Sequence, residues 1–145
     1  MIMPTKVSCA KDVQIVANYI KEVEEKHNIK NFTHIIPLIE TALGVENAFE
    51  IAKSSDRVRA IFLGAEDLTA DLRCKRTKKG DEIFYSRGRL VTAARAANID
   101  VYDTPFTDVE DEDGLRKDAL FAKSLGFTGK AAISPRHVMI INEVF

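Results

Sequence analysis

The sequence predicts an α/β fold built on a parallel β-sheet, and three observations lead to that prediction. Short apolar runs alternate along the chain with amphipathic stretches, as in successive βα units. The runs are almost continuously apolar, which is typical of parallel strands that are covered on both faces. The chain has 145 residues, of which 46% are hydrophobic, and this suffices for one domain with its own core. We therefore expect a single domain over residues 1–145.

Five βα units account for the alternation. The predicted strands are, in chain order, "MIMPTKV", "THIIPLI", "VRAIFLG", "IDVYDT" and "GKAAIS". The spacing of apolar residues predicts helices over about residues 10–27, 44–53, 65–72, 82–97 and 114–125, and from Pro135 onward. Pro135 suits the first turn of a helix, where a missing N–H breaks no hydrogen bond. One long polar connection, "RCKRTKKGDE", precedes the helix at residues 82–97.

Two architectures accommodate five such units. A free-standing, five-stranded open sheet of the flavodoxin type has about this length, although "PTKVSCAKD" lacks the glycine-rich phosphate loop usual after its first strand. The other architecture is part of a (β/α)8, or TIM, barrel, whose full length is typically ~250 residues. A partial barrel leaves two open parallel edges, which a stable protein covers by pairing them with another segment.

Composition and charge argue against several classes of function. The 21 Lys and Arg residues are balanced by 22 Asp and Glu residues, so the net charge of −1 attracts neither nucleic acid nor an anionic membrane. No apolar run approaches the ~20 residues of a transmembrane helix. Cys9 and Cys74 match no zinc or redox spacing, and no signal peptide precedes them. We therefore expect a cytoplasmic protein with reduced thiols.

Two acidic residues follow neighbouring predicted strands. Glu40 lies at the carboxyl end of "THIIPLI", and Asp67 follows "VRAIFLG" in "GAEDL". Sites in α/β sheets form at this edge, and adjacent strands lie ~4.8 Å apart, so the two side chains can converge. Close carboxylates repel unless a proton or cation lies between them, and Mg2+ prefers such oxygen ligands. A plainer interpretation is that each acid favours the N-terminus of the helix that follows it.

Two charged loops offer weaker candidates. "RCKRTKKG" contains Arg73 and Arg76 among five basic residues, which either form a solvated loop or bind phosphate groups of a substrate. "DTPFTDVEDEDG" gathers six acids, beginning with Asp103, in a solvated loop with a helix cap or, less simply, in a second metal site. The three histidines have no spacing that makes a ligand set, which favours surface or packing roles.

Four segments carry a resemblance to a known family: "PLIETALGVENAFEIA", "GAEDLTADL", "RTKKGDEIFYSRGRLVTAARAANIDVYDTPFTDVEDEDGL" and "LGFTGKAAISPRHVMIINEVF". In their order and spacing they resemble the citrate lyase β-subunit-like branch of the HpcH/HpaI aldolase and citrate lyase superfamily. The resemblance implies a TIM-barrel lyase that uses Mg2+ to cleave or form a carbon–carbon bond next to a 2-oxo acid or an acyl-CoA thioester. It also implies that Glu40 of "IET" and Asp67 of "DL" hold the metal.

The resemblance covers only the later part of such a barrel. "IMPTKV" corresponds to the family's fourth strand, and this places Lys6 where it either faces the site and contacts substrate or forms a structural salt bridge. The family's earlier strands, which include an arginine that grips the substrate carboxylate, have no counterpart, and neither has its C-terminal extension. Ser134 stands where the family usually has a histidine.

These gaps lead us to expect little or no activity from the chain alone. Turnover would then require a homo-oligomer or a complementing chain that supplies the missing strands. Two alternatives remain open. The chain is a truncated homologue that folds, oligomerises and binds metal or ligand without turnover, or it is a self-contained α/β domain of another function.

Overall fold

A four-stranded parallel sheet forms the centre of the computed structural model, which describes all 145 residues. The strands are β1 (Leu38–Ile39), β2 (Ala60–Leu63), β3 (Asp100–Asp103) and β4 (Gly129–Lys130). They lie side by side in chain order, and every neighbouring pair is parallel. The α/β class and the parallel sheet predicted from the sequence are therefore confirmed.

The helices follow the predicted pattern with small shifts of their ends. They are α1 (Ala10–Lys26), α2 (Ala42–Glu46), α3 (Ala48–Ala52), α4 (Ala65–Asp71), α5 (Phe84–Ala97), α6 (Glu112–Leu125) and α7 (Pro135–Val144). A short 3₁₀ turn at Asp81–Ile83 leads into α5. Pro135 occupies the first turn of α7, as expected. None of these helices is both long and apolar enough to cross a membrane.

The first predicted strand forms only an irregular edge of the sheet. The N-terminal segment runs parallel to residues 34–38, because Ile2 donates to His34 O and Leu38 donates to Pro4 O. A continuous ladder does not form, since Pro4 has no N–H to donate and Lys6 adopts a left-handed backbone conformation with φ of +52°. Five extended segments were predicted, and four of them are strands of the regular sheet.

The predicted helix over residues 44–53 is divided in two at Asn47. The backbone of this residue, with φ of −89° and ψ of +10°, departs from helical geometry between α2 and α3. Its side-chain amide donates a hydrogen bond to Ser8 O over 2.9 Å. The interruption therefore fastens the α2–α3 junction to the loop that precedes α1.

The helices lie in one layer against one face of the sheet. Successive helices contact each other along the series α1, α3, α5, α6 and α7. The strand residues beneath them, which include Ile39, Ile61 and Val101, are completely buried in the main core. Burial of these side chains is the main source of folding free energy for the chain.

The opposite face of the sheet is apolar and only half buried. Leu38, Phe62, Tyr102 and Gly129 form one row across the four strands on this inner face. A cavity of about 320 Å³ lies there between Met3 and the sheet. The prediction that both faces are covered is wrong for this face.

Strand order distinguishes the two predicted architectures. A flavodoxin-like sheet reverses its strand order at a switch point and carries helices on both faces. The sheet of this chain keeps chain order throughout and carries a single helix layer, which is the arrangement of part of a TIM barrel.

Candidate functional site

Glu40 directly follows β1 at the carboxyl edge of the sheet. The residue is only 7% exposed, and its Oε1 atom accepts a hydrogen bond from the backbone N–H of Lys6 over 2.8 Å. Gly64, at the end of β2, provides the space for this carboxylate, because a Cβ there would lie 2.9 Å from Oε2 of Glu40. The local sequence thus fixes a buried carboxylate at the end of the strand.

Asp67 lies in the first turn of α4, which begins directly after β2 and Gly64. Its side chain is 51% exposed, and its Oδ2 atom lies 2.8 Å from Nζ of Lys6. Its position at a helix N-terminus also satisfies the plainer interpretation of an acid that favours the helix dipole. That interpretation does not account for the buried carboxylate of Glu40 on the neighbouring strand.

Lys6 contacts both carboxylates, through its backbone N–H and through its ammonium group. The hydrogen bond that the Lys6 ammonium donates to Asp67 and the charge of that carboxylate raise the pKa of Lys6 above its ordinary value, and slight burial opposes them. The charges of Glu40 and Asp71 raise the pKa of Lys6 further. The structure thus brings together three residues singled out from the sequence: Lys6, Glu40 and Asp67.

The donor atoms fit a magnesium ion that keeps open coordination positions. Each carboxylate uses one oxygen to bind Lys6, and the other oxygen makes no hydrogen bond within the chain. No group of three or more His, Cys, Asp and Glu side chains is arranged to hold a metal. Mg2+ does not need such a group, because one or two carboxylates often hold it while waters and substrate oxygens complete the octahedron.

The candidate site is an open edge, because the side chains of Lys6 and Asp67 are 68% and 51% exposed. Lys6, Glu40 and Asp67 line none of five larger cavities of about 270–560 Å³ on the chain. The site is therefore defined by its donor atoms.

Arg76, a predicted substrate contact, is engaged within the chain. Its guanidinium lies 2.8 Å from Glu82 and 3.5 Å from Glu66, and its side chain is 13% exposed. Burial raises the pKa of Glu82, but hydrogen bonds from Thr77 and Arg76 outweigh it and lower that pKa to about 2. The carboxylate therefore stays ionised and neutralises Arg76 across the physiological pH range.

The rest of the basic loop is partly neutralised in the same way. Lys78 binds Asp108 and Asp111, and Lys79 binds Asp81. Arg73, the other predicted substrate contact, is exposed and forms no ion pair. Of the two predicted arginines, Arg73 is thus the one whose charge remains available to a ligand.

A buried ion cluster joins the ends of β3 and β4 to two helices. It consists of Arg87 on α5, Asp103 on β3, Asp118 on α6 and Lys130 on β4, and the side chains of all but Asp118 are completely buried. Arg87 and Lys130 approach Asp103 to 2.8 and 2.6 Å. The prediction that Asp103 lies in a solvated acidic loop is wrong, because its side chain points from β3 into the helix layer and is completely buried there.

The ion cluster maintains its own charge balance of two cations and two anions. Burial alone would lower the pKa of Arg87, but the charges of Asp103 and Asp118 raise it. Burial would likewise raise the pKa of Asp118, but Lys130 and Arg87 hold it below its ordinary value. The spacing of Arg87, three residues before Leu90 and seven before Ala94 on the buried face of α5, was the signal in the sequence that could have revealed this cluster.

Thr104 links the ion cluster to the helix that carries Asp67. Its carbonyl oxygen accepts a hydrogen bond from Lys130, and its Oγ1 atom accepts one from the backbone N–H of Ala65 over 3.2 Å. Ala65 is the first residue of α4, and Gly64, which precedes it, has no side chain that could cap the helix. Thr104, which directly follows β3, therefore provides the missing acceptor for this N–H.

Thr104→Val is expected to lower the free energy of unfolding by about 1–3 kcal/mol, because it leaves the buried N–H of Ala65 without an acceptor. Urea denaturation followed by circular dichroism measures the loss. Thr104→Ser keeps the hydroxyl and is the matched control, for which we expect the smaller loss. Equal losses in the two variants would show that the hydrogen bond to Ala65 contributes nothing.

The sequence is similar to a family of known proteins. The sequence matches the HpcH/HpaI aldolase/citrate lyase family over residues 1–135. The chain belongs to this family. It is 45% identical over 113 residues to citrate lyase subunit beta of Leuconostoc mesenteroides subsp. cremoris, a match that covers 78% of this chain and 37% of that protein.

Two further relatives extend the comparison. The chain is 34% identical, over an alignment of 161 positions, to L-malyl-CoA/beta-methylmalyl-CoA lyase of Rhodobacter capsulatus, and the match covers 99% of this chain and 51% of that protein. A solved structure of citrate lyase beta subunit from Mycobacterium tuberculosis, complexed with oxaloacetate and magnesium, matches with a TM-score of 0.80 and 27% identity. That match covers 98% of this chain and 59% of the other. The chain thus spans about half, or less, of these curated relatives' length.

Proposed function

We propose that this chain provides the metal-binding edge of a Mg2+-dependent carbon–carbon lyase that acts on a 2-oxo acid or an acyl-CoA thioester. The observation that carries the proposal is the convergence of Glu40 and Asp67 on Lys6 at the carboxyl edge of the sheet. The relatives of this chain support the proposal, since they include citrate lyase subunit beta and L-malyl-CoA/beta-methylmalyl-CoA lyase. One similar solved structure is citrate lyase beta subunit complexed with oxaloacetate and magnesium.

Each residue has a defined part in this proposal. The bound ion supplies a Lewis acid that stabilises negative charge on the 2-oxo acid oxygens as the carbon–carbon bond breaks or forms. Glu40, oriented by the N–H of Lys6, and Asp67, held at the start of α4, would hold the ion. Arg73 has a free charge for an anionic part of the substrate. The acid or base for the accompanying proton transfer would come from another polypeptide segment.

The open inner face favours a second candidate, in which the chain binds metal and ligand without turnover. Its half-buried apolar row and the free edges of the N-terminal segment and β4 support association with a second copy or a complementing chain. A cleavage assay with an acyl-CoA substrate separates the two candidates. Cleavage by the chain alone or with its complement supports the lyase, and ligand binding without cleavage in either case supports the second candidate.

Binding of oxaloacetate with and without Mg2+ tests the metal site itself. We expect oxaloacetate to bind only when Mg2+ is present, because its 2-oxo and carboxylate oxygens would chelate the ion. Succinate, a dicarboxylate without the 2-oxo oxygen, is the matched control ligand and is expected to bind more weakly. Isothermal titration calorimetry measures both. Equal binding of oxaloacetate with and without the metal would overturn the proposed function.

A further inference from the structure

Lys6 is the cation that contacts the candidate metal ligands. Its ammonium lies 2.8 Å from Oδ2 of Asp67, and the charge of Glu40 also acts on it. We propose that Lys6 is an internal counter-ion of the site, which binds Asp67 in the absence of metal and releases it when a divalent cation enters. This inference rests on the proposed function and adds that the Lys6 ammonium and the divalent cation compete for Asp67.

The position of Lys6 disfavours simultaneous binding of its ammonium and a divalent cation to Asp67. Mg2+ lies about 2.1 Å from its carboxylate oxygens, so an ion that shares Oδ2 of Asp67 with the ammonium would lie within about 5 Å of it. A divalent and a monovalent cation repel each other at that distance, although solvent weakens the repulsion between exposed groups. Metal binding therefore favours movement of the ammonium away from Asp67.

The ammonium can leave without disturbing Glu40, because the two functions of Lys6 belong to different parts of the residue. The side chains of Lys6 and Asp67 are 68% and 51% exposed, and ion pairs at such exposure are weak. The backbone of Lys6, in contrast, is fixed by its hydrogen bond to Glu40 and by buried Val7, which donates to Leu38 O. The side chain can therefore rotate into solvent while the N–H still orients the buried carboxylate.

Calorimetric titration of Mg2+ into the wild-type chain and Lys6→Met tests the competition. Met has a similar length and no charge, so it removes the ammonium and keeps the backbone N–H. We expect Lys6→Met to bind Mg2+ about threefold to tenfold more tightly than wild type, in keeping with a weak exposed pair. Lys78→Met changes the net charge equally, but Lys78 pairs with Asp108 and Asp111, so its Mg2+ affinity should stay at the wild-type value.

A second measurement follows the ammonium directly. Acylation of Lys6 by an amine-reactive ester, quantified by mass spectrometry, is expected to be faster in Mg2+ than in chelator, while acylation of Lys78 is unchanged. Tighter binding by Lys6→Met, or binding by that variant alone, supports the proposal. If wild type binds Mg2+ and Lys6→Met binds no more tightly, the counter-ion proposal is overturned and the metal site stands. If neither binds, both proposals are overturned.

Discussion

Asp103→Asn is expected to lower the free energy of unfolding by about 3–5 kcal/mol. Arg87 and Lys130 both bind this carboxylate, and all three side chains are completely buried. Without its charge, two buried cations share Asp118 alone, and burial of an uncompensated charge is costly. Because a domain is stable by only about 5–15 kcal/mol, the loss is a large fraction of the total. Urea denaturation followed by circular dichroism measures it.

Glu143→Gln is the control for this prediction. Glu143 binds Arg116 over 2.7 Å, but the two side chains are 53% and 45% exposed, so the expected loss is about 0–1 kcal/mol. A double variant, Asp103→Asn with Lys130→Met, removes one charge of each sign and should lose less stability than the sum of the single variants. Equal losses for Asp103→Asn and Glu143→Gln would contradict a stabilising role for the buried cluster.

The elements that could be predicted from the sequence are those with strong local signals. Apolar spacing located α1, α5 and α6 to within about two residues. The departures have one local and one tertiary cause. Pro4 and the left-handed backbone of Lys6 interrupt the first strand, and the hydrogen bond from Asn47 to Ser8 accompanies the division of one helix. The bond from Asn47 is not visible in a local pattern, because the two bonded residues are far apart in the chain.

The candidate site shows the same division between local and tertiary information. General geometry predicts Glu40 and Asp67 at the same edge of the sheet, since Glu40 directly follows β1 and Asp67 lies in the first turn of the helix after β2. The position of Lys6 between them depends on a backbone turn at the sheet edge, and the sequence left substrate contact and salt bridge as alternatives for it. The structure shows the salt bridge. The ion pairs of Arg76 could not be predicted from the sequence, because Glu66 and Glu82 become its neighbours only in the fold.

Glu40→Gln is expected to weaken Mg2+ binding about 100-fold, or to abolish it. The substitution is nearly isosteric and keeps an oxygen that can accept the hydrogen bond from Lys6, so the local fold should survive. It removes a full negative charge from a buried position, where attraction to a divalent cation is poorly screened. A 100-fold loss corresponds to about 2.7 kcal/mol of binding free energy. Isothermal titration calorimetry with Mg2+ measures it, and circular dichroism confirms folding.

Glu66→Gln provides the matched control for that loss. Glu66 adjoins Asp67 in the first turn of α4 and carries the same charge, but its side chain is 56% exposed and lies 3.5 Å from Arg76. If general negative charge at this edge attracted the ion, both variants would weaken binding to the same extent. If Glu40 is a ligand, Glu66→Gln keeps its Mg2+ affinity within about twofold of wild type, since an exposed charge is screened by solvent. Unchanged affinity in Glu40→Gln would remove that residue from the metal site.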